Sequence, residues 1–223
     1  MSVFEIKDVS YSYDKSKRIL TAVNAVFETG KMYAILGVSG SGKTTLLSLL
    51  GGLDVPQKGE ILFDGVDISE HTLEYHRRNH VSLIFQSYNL IDYMTPVENV
   101  KLTAKQDALL VLKQLGLTED EAKRNVMKLS GGQQQRVAIA RTLASDTPII
   151  LADEPTGNLD EDTAAEITEV LKNCAHQMNK CVIIVTHSND LAKQADMVFR
   201  LKKGKQSSLR ACDVFLKDNP KLM

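Results

Sequence analysis

One glycine-rich segment of this 223-residue chain has the residue types needed to bind a polyphosphate. Its sequence is Gly37-Val-Ser-Gly-Ser-Gly-Lys43-Thr44, and it lies between the apolar run Met32–Leu36 and a predicted helix that opens with Thr45. Glycines let successive backbone N–H groups turn toward one anion, and the helix adds the positive end of its dipole. Lys43 would reach the β- and γ-phosphates, and the Thr44 hydroxyl would bind Mg²⁺. A plain strand–turn–helix would not require three glycines followed by Lys and Thr.

A second apolar run, Ile149–Ala152, ends in two adjacent carboxylates, Asp153 and Glu154. A buried strand there would deliver Asp153 rigidly to the edge of a sheet, where its carboxylate can hold magnesium through water. Glu154 would then face the γ-phosphate, where a carboxylate can act as general base toward an attacking water. The simpler interpretation, a helix cap or surface acid that follows a strand, is weak beside a phosphate-binding loop.

A third segment, Leu129-Ser-Gly-Gly-Gln133, runs into a predicted helix over Gly132–Ser145. Ser130, Gly131 and Gly132 would leave unpaired N–H groups at the helix N-terminus, which is a second surface suited to phosphate. Taken alone, the segment is better explained as an ordinary N-cap with a flexible approach. Its occurrence beside the other two segments favours the phosphate-binding interpretation.

Strand-like runs alternate with helical patterns along the chain, which is typical of an α/β fold. The later runs are rich in Val, Ile and Leu, as parallel strands buried on both faces are, whereas the first strands alternate apolar and polar residues like a more exposed antiparallel region. The predicted strands are Val3–Val9, Leu20–Phe27, Lys31–Leu36, Glu60–Phe63, His80–Phe85, Pro148–Ala152, Cys181–Thr186 and Met197–Leu201. One predicted helix begins after Gly42. The others cover Thr72–Arg78, Pro96–Leu102, Gln106–Leu115, Gly132–Ser145 and Glu161–Met178.

The pattern predicts a single domain over residues 1–204. Residues 87–128 have no strand run, so a helical lobe of about residues 87–145 is expected to be inserted between two sheet strands. The polar segment 205–223 is expected to be a peripheral, weakly ordered tail.

Composition excludes several classes of protein. With 27 Lys and Arg against 28 Asp and Glu, the chain has no overall basic excess of the kind that binds nucleic acid. We expect no membrane-spanning segment and no secretory signal, and hence a cytoplasmic location with reduced cysteines. His71, His76 and His80 lie close together in sequence, but His80 is predicted to begin a strand, so we expect that their helical spacing does not persist and that they form no zinc site.

Together, the three segments resemble the ATP-binding cassette (ABC) ATPases. The phosphate-binding loop, the LSGGQ signature at Leu129–Gln133 and the Asp153-Glu154 strand occur in that family's order and spacing, and the likeness extends from about Val3 to Gly204. The segments Phe85–Val100, Leu129–Arg141 and Ala152–Asp160 resemble more narrowly the subfamily of macrolide-exporter and lipoprotein-release ATPases, which includes peptide and bacteriocin exporters. The resemblance implies a P-loop NTPase fold with a mostly parallel central sheet, an N-terminal antiparallel β subdomain and an inserted helical subdomain.

The resemblance also assigns roles to residues whose own signal is weak. Gln86 matches the glutamine that reaches Mg²⁺ and senses the transport partner, and His187 matches the switch histidine that contacts the γ-phosphate. Asp160 matches an aspartate that crosses to a facing subunit, a role compatible with helix N-capping. Tyr13 occupies the position where an aromatic ring stacks on adenine, with Tyr11 as the fallback. The resemblance implies that Thr44, Gln86 and Asp153 bind Mg²⁺ and that Glu154, His187 and Lys43 act in catalysis. The implied nucleotide-binding residues are Tyr13, Gly37, Ser39, Gly40, Ser41, Gly42, Lys43, Thr44, Thr45, Gln86, Ser130, Gly131, Gly132, Gln133 and Asp160.

The implied function is an ATPase that hydrolyses ATP to ADP and phosphate as one subunit of a transporter. Two copies would pack head to tail, so that the signature of one clamps the γ-phosphate held by the other. Hydrolysis would power export or membrane extraction of a peptide, antibiotic, bacteriocin or lipoprotein through a separate permease, from the cytoplasmic side of the membrane. The permease would connect to a periplasmic-adaptor-like or extracellular partner, and nucleic acid is not expected as a partner. The alternatives are a soluble ABC ATPase of translation or DNA repair and a regulatory module that does not hydrolyse ATP.

The chain departs from the pattern of that subfamily in a few places. Val38 stands where Pro is frequent, and this change should be harmless because the position contributes mainly backbone. The stretch between Val100 and Leu129 is shorter than the resemblance implies, so a trimmed helical lobe is expected. Met127-Lys128 replaces a Pro-containing approach to the signature.

Overall fold

Two β-sheets and a set of helices make up the fold. A computed structural model describes residues 3–14, 17–202 and 209–211. In chain order the elements are β1 Val3–Asp14, β2 Lys17–Glu28, β3 Met32–Leu36, α1 Lys43–Leu50, β4 Lys58–Phe63, β5 Val66–Asp67, α2 Leu73–Asn79, β6 Val81–Ile84, α3 Pro96–Lys101, α4 Ala108–Gln114, α5 Glu119–Lys123, a 3₁₀ turn Val126–Lys128, α6 Gly131–Ala144, β7 Ile149–Asp153, α7 Glu161–His176, β8 Cys181–Thr186, α8 Asn189–Lys193, β9 Met197–Leu201 and β10 Leu209–Ala211.

The larger sheet has the strand order β10-β9-β3-β8-β7-β6. Its strands run parallel except for the edge strand β10, which is antiparallel to β9. Every residue of β3 and β8 is buried, as expected for parallel strands covered on both faces. The carboxyl ends of β3, β6, β7 and β8 therefore meet at one edge, which confirms the predicted α/β fold and places the loops that follow these strands side by side.

The smaller sheet is antiparallel, with the strand order β2-β1-β4-β5. Helix α1 lies between the two sheets, and Leu46, Leu49 and Leu50 of this helix are buried in a core that also contains Phe27 and Tyr33. The rings of Phe27 and Tyr33 meet edge to face, with their centroids 5.0 Å apart. The opposite face of the larger sheet packs against α7 and the helices between β6 and β7. None of the helices in the described ranges is both long and apolar enough to span a bilayer.

Helices α3, α5 and α6, which lie between β6 and β7, begin at capping boxes, in which a threonine or serine and a residue three positions later exchange hydrogen bonds. The boxes are formed by Thr95 with Glu98, Thr118 with Glu121, and Ser130 with Gln133. In α3 and α5, which have six and five residues, these side chains mark where the helix begins. The boundaries predicted for a helical subdomain stay a prediction.

The segment that carries Gln86 and connects β6 to α3 is fastened by Asn99, which is fully buried. Asn99 Oδ1 accepts from Ile91 N (2.7 Å), and its Nδ2 donates to the carbonyls of Ile91 (3.2 Å) and Thr95 (3.1 Å). A single side chain thus satisfies three backbone groups that are away from water.

The expectation that His76 and His80 lose their helical spacing is wrong. His80 ends α2 as its C-cap, and its N–H donates to His76 O at 2.8 Å, so the predicted strand begins one residue later, at Val81. The two Nδ1 atoms lie 3.2 Å apart. Burial lowers the pKa of His76 to about 4, which keeps this imidazole neutral at pH 7. Within the described ranges, no group of three His, Cys, Asp or Glu side chains could hold a metal ion.

Four short elements escaped prediction: β5, α5, α8 and β10. Helices α5 and α8 have five residues each, and side chains, Thr118 and Ser188, rather than an apolar stripe mark where they begin. Strand β10 lies within the segment predicted as a tail and pairs antiparallel with β9. The remainder of the predicted tail and Cys212 lie outside the described residues, whereas Cys174 and Cys181 are buried thiols.

Replacing Asn99 by Asp tests its role in holding the loop. The carboxylate keeps the acceptor for Ile91 N but turns its second oxygen toward two carbonyl oxygens, so we expect the free energy of unfolding to fall by about 3 kcal/mol. Urea denaturation followed by circular dichroism measures this change. Asn173→Asp, at an exposed position of α7, is the matched control and should change the stability little. Equal effects of the two substitutions would contradict the assignment.

Candidate functional site

The glycine-rich loop connects β3 to α1 and has a shape that requires its glycines. Gly40 and Gly42 have φ values of +70° and +100°, in the left-handed region that residues with a Cβ seldom adopt. A Cβ at Gly42 would also lie 2.9 Å from Ile19 Cγ2. Val38 contributes its carbonyl, which accepts from Ser41 N at 3.1 Å, as expected for a position that supplies backbone. Lys43 Nζ donates to Gly37 O at 2.7 Å, so the ammonium group lies inside the loop.

Asp153, the last residue of β7, lies beside this loop. Its carboxyl is hydrogen-bonded to the Thr44 side chain. Burial raises the pKa of Asp153, and the neighbouring Glu154 adds to the increase, while the Thr44 hydrogen bond and Lys43 oppose it. A divalent cation would reverse the shift, because a positive charge beside a carboxylate favours its ionised form. The structure therefore places a partly desolvated carboxylate where a cation would stabilise it.

Glu154 has a left-handed backbone, with φ +47°, which is uncommon for a residue other than glycine. The strand next to it fixes this conformation, since Glu154 N donates to Val185 O at 2.9 Å. Its carboxylate accepts from Thr186 Oγ1 (3.0 Å) and His187 N (3.3 Å) through Oε2, and from His187 Nδ1 (2.9 Å) through Oε1. The side chain of Glu154 is 12% exposed and that of His187 is 70% exposed, so a mostly buried carboxylate is held by a histidine that faces solvent.

These groups surround one cleft of about 370 Å³. It is lined by Ser39, Gly40, Gly42, Lys43, Thr44, Thr45, Gln86, Asp153, Glu154 and His187. The Thr44 hydroxyl, the Asp153 carboxylate and the Gln86 amide oxygen are the hard ligands that Mg²⁺ prefers, so the residues present fit this ion. The cleft can thus hold a phosphate chain on backbone N–H groups and Lys43, with a carboxylate at its far side.

The signature residues do not line this cleft in the part of the chain that the structure describes. Ser130 is the N-cap of α6: its Oγ accepts from Gln133 N at 3.3 Å, and its N–H donates to Gln133 Oε1 at 3.0 Å. A Cβ at Gly132 would lie 2.6 Å from Thr163 Cγ2, so close packing against α7 requires a glycine there. The chain therefore carries two separate surfaces suited to phosphate.

Asp160 caps α7 within the same chain. It accepts from Thr163 N at 3.0 Å and from Thr163 Oγ1 at 2.8 Å, and these hydrogen bonds, the backbone one first, lower its pKa. The capping role weighed from the sequence is thus observed. The contact of Asp160 with a facing subunit stays a prediction.

Tyr13 and Tyr11 differ in exposure. Tyr13 is 68% exposed and its hydroxyl lies 3.0 Å from Thr45 Oγ1, beside the glycine-rich loop. Tyr11 is 7% exposed, and its hydroxyl is hydrogen-bonded to Asp54. Only the first of these two rings presents a free face next to the cleft, which favours Tyr13 for the adenine.

Sequence reasoning missed several residues that support the site. Thr186 holds Glu154, and its place at the end of a buried strand was the available signal. The Arg141 guanidinium donates to the carbonyls of Asn89 (2.7 Å) and Tyr88 (3.1 Å), which carry left-handed backbones at φ +48° and +60°. No sequence signal marked this link between α6 and the loop of Gln86.

Comparison with known sequences gives a consistent result. The family described as ABC transporter matches residues 20–157. The ABC transporter ATP-binding protein YclH of Bacillus subtilis is 46% identical over 92% of this chain and 95% of its own length. The lipoprotein-releasing system ATP-binding protein LolD of Ehrlichia ruminantium is 36% identical over 91% and 95%. The macrolide export ATP-binding/permease protein MacB of Pasteurella multocida is 40% identical over 91% of this chain, which corresponds to 33% of MacB.

Solved structures give the same assignment. The dimeric MJ0796 ABC transporter cassette superposes with a TM-score of 0.81 at 36% identity, covering 93% of this chain and 96% of that one. A dimeric post-hydrolysis state of the same cassette, bound to ADP and Pi, also has a TM-score of 0.81, at 34% identity and with 94% and 97% coverage. With its phosphate-binding cleft, its signature helix and these relatives, the chain belongs to the ABC transporter family, as one of its ATP-hydrolysing ATP-binding subunits.

Proposed function

We propose that two copies of this chain close head to tail around ATP and thereby drive a separate membrane subunit. The observation that carries the proposal is the separation of the two phosphate-binding surfaces, because the cleft at Lys43 and the N-terminus of α6 at Ser130 do not meet within one chain. A second copy supplies the missing half of each site. The dimeric cassettes among the structural relatives support this arrangement.

Within each site, Glu154 acts as the general base. It accepts a proton from the attacking water as the new oxygen–phosphorus bond forms and the bond from the γ-phosphorus to the bridging oxygen breaks. His187 and Thr186 hold the carboxylate in place, and Lys43 neutralises the phosphate oxygens. Thr44, Asp153 and Gln86 hold Mg²⁺, which supplies positive charge to the phosphates when it is bound.

The names of two relatives support a proposal for the direction of transport. LolD bears the name of a lipoprotein-releasing system and MacB that of a macrolide exporter, so we assign this chain to export or membrane extraction of a peptide, antibiotic, bacteriocin or lipoprotein. The subunit would lie on the cytoplasmic side of the membrane, attached through its permease. An extracellular or periplasmic-adaptor-like partner would connect through the same permease.

Glu154→Gln should retain ATP binding and lose turnover. The amide keeps the size of the carboxylate but cannot take the proton, so we expect the steady-state rate to fall by about 10² to 10⁴, the usual contribution of a positioned base. Phosphate release measures the rate, and a fluorescent nucleotide measures binding. Glu169→Gln on the exposed surface of α7 is the matched control, with the same change of charge. Undiminished turnover of the Glu154 variant would remove this residue from the role of base.

Mixing two inactive variants tests the shared site. Lys43→Ala removes the cleft of one copy, and Ser130→Arg blocks the signature of the other. A mixed pair retains one site in which both halves are intact, so activity should return to at most about a quarter of the unmodified level for random pairing in a two-fold symmetric dimer. A mixture that shows only the sum of the separate residual activities would argue that each chain completes its own site.

Tyr13 should contribute to ATP affinity through its ring rather than its hydroxyl. Tyr13→Ala removes a stacking surface worth about 1–3 kcal/mol per base, so KM for ATP should rise at least fivefold. Tyr13→Phe keeps the ring and loses only the hydroxyl contact with Thr45, so KM should stay within about twofold. If the two variants shift KM equally, the ring does not stack on the base.

A further inference from the structure

The signature segment is tied to the helix that precedes it through a single hydrogen bond. Gln133 Nε2 donates to Glu121 Oε1 at 2.7 Å, in a partly buried contact. Glu121 belongs to the capping box of α5, in which its Oε2 accepts from Thr118 N (2.8 Å) and Thr118 Oγ1 (2.9 Å). Gln133 belongs to the capping box of α6 with Ser130. The two boxes therefore form one continuous chain of hydrogen bonds that runs from the start of α5 to the start of α6.

We propose that Glu121 is a positioning residue for the signature: it fixes the orientation of Gln133 and, through it, the donors that α6 offers to the ATP of the facing subunit. This inference rests on the proposed function, since it concerns how one copy completes the site of the other. Glu121 itself would not touch the nucleotide.

The polarity of the hydrogen-bond chain carries the proposal. A carboxylate only accepts, so the Gln133 side-chain group that lies 2.7 Å from Glu121 Oε1 must be its NH₂. The Gln133 carbonyl oxygen is then directed at Ser130 N, which it binds at 3.0 Å. Since Ser130 Oγ accepts from Gln133 N, the hydroxyl hydrogen of Ser130 does not point at that N–H group. That hydrogen and the N–H groups of Gly131 and Gly132, which lack intrahelical acceptors in the first turn, are the donors available to a phosphate.

Glu121→Gln reverses the polarity at one atom while keeping the size of the side chain. Glutamine is accepted in capping boxes, so α5 still begins at Thr118. With its oxygen bound to Thr118, however, the new NH₂ group would face the Gln133 NH₂ group. If Gln133 breaks the contact, nothing fixes the orientation of its amide, and if it turns its own NH₂ toward Ser130 N, Ser130 loses its backbone cap.

The test uses Glu154→Gln as the parent, because slow hydrolysis lets the ATP-bound dimer accumulate. Loss of a helix cap corresponds to about 1 kcal/mol, so adding Glu121→Gln should raise the ATP concentration for half-maximal dimer formation by about fivefold or more. Sedimentation velocity at increasing MgATP measures this concentration. Binding of a fluorescent ATP analogue to dilute monomer should stay within about twofold, because Glu121 lies outside the cleft of its own chain.

Glu119→Gln in the same parent is the matched control. Glu119 lies in the same helix, and its substitution changes the charge equally, but its carboxylate accepts from Lys113 (2.7 Å) and Lys123 (2.6 Å) on the surface. It should leave the dimerisation curve unchanged. A second control separates positioning from general stability: in a Gln133→Ala parent, Glu121→Gln should add nothing to the defect, because the group that Glu121 orients is gone.

Equal dimerisation of the Glu121 and Glu119 variants would overturn the inference, even with a dimeric parent. Additive effects of Glu121→Gln and Gln133→Ala would overturn it as well, as would a weakened monomer–ATP affinity that accounts for the whole shift. Failure of the parent to dimerise at any ATP concentration would overturn the proposed function, and this inference with it.

Discussion

Negative charge concentrated at one edge of the parallel sheet is the constraint on which the rest of the site depends. Asp153 and Glu154 are adjacent in sequence, both are shielded from water, and they lie next to a loop built to receive further negative charge. The pKa of Asp153 is raised because burial, and secondarily the charge of Glu154, disfavours the ionised carboxylate. The fold tolerates the cost because positive and dipolar groups converge on the same edge. Lys43 and Thr44 begin α1, which follows β3, the strand beside β8. Thr186 ends β8, and His187 comes directly after it.

Strained backbone at the site is supported by rigid elements on either side of it. Glu154 keeps its left-handed conformation because β7 pairs with β8 up to Asp153 and Val185, and the next N–H still donates to Val185 O. Tyr88 and Asn89 keep theirs through the Arg141 guanidinium and, further along the same loop, through Asn99. Such conformations cost about 1–3 kcal/mol each and persist only where the surroundings fix them. In the first case the strained residue is Glu154, which is itself proposed to act on ATP, and in the second the strained residues follow Gln86 in the same loop.

The sequence was most informative where residue type alone decides the chemistry. Lys43 and Thr44 after a glycine-rich turn, and two carboxylates after a buried strand, have few other uses, and the structure brings these segments into one cleft. Prediction was weaker where the deciding contact is tertiary. The helix α5 has no apolar stripe and depends on Thr118 and Glu121, and β10 exists only because β9 offers it an edge. The spacing of His76 and His80 was misjudged because α2 runs up to the strand without a break, which a pattern of residue types cannot reveal. The pairing of Glu121 with Gln133 joins two helices and leaves no trace in either one.

The same tertiary contacts link the separate surfaces of one chain. Arg141 emerges from the last turn of α6 and binds the loop of Gln86, while Gln133 in the first turn of α6 is bound by α5. Helix α6 is therefore fixed at both ends, to the loop beside the cleft at one end and to a neighbouring helix at the other. An arginine guanidinium stays charged in proteins, so the two carbonyl contacts of Arg141 are charge-assisted. One helix thus joins the signature residues in its first turn to the contact with the Gln86 loop in its last turn.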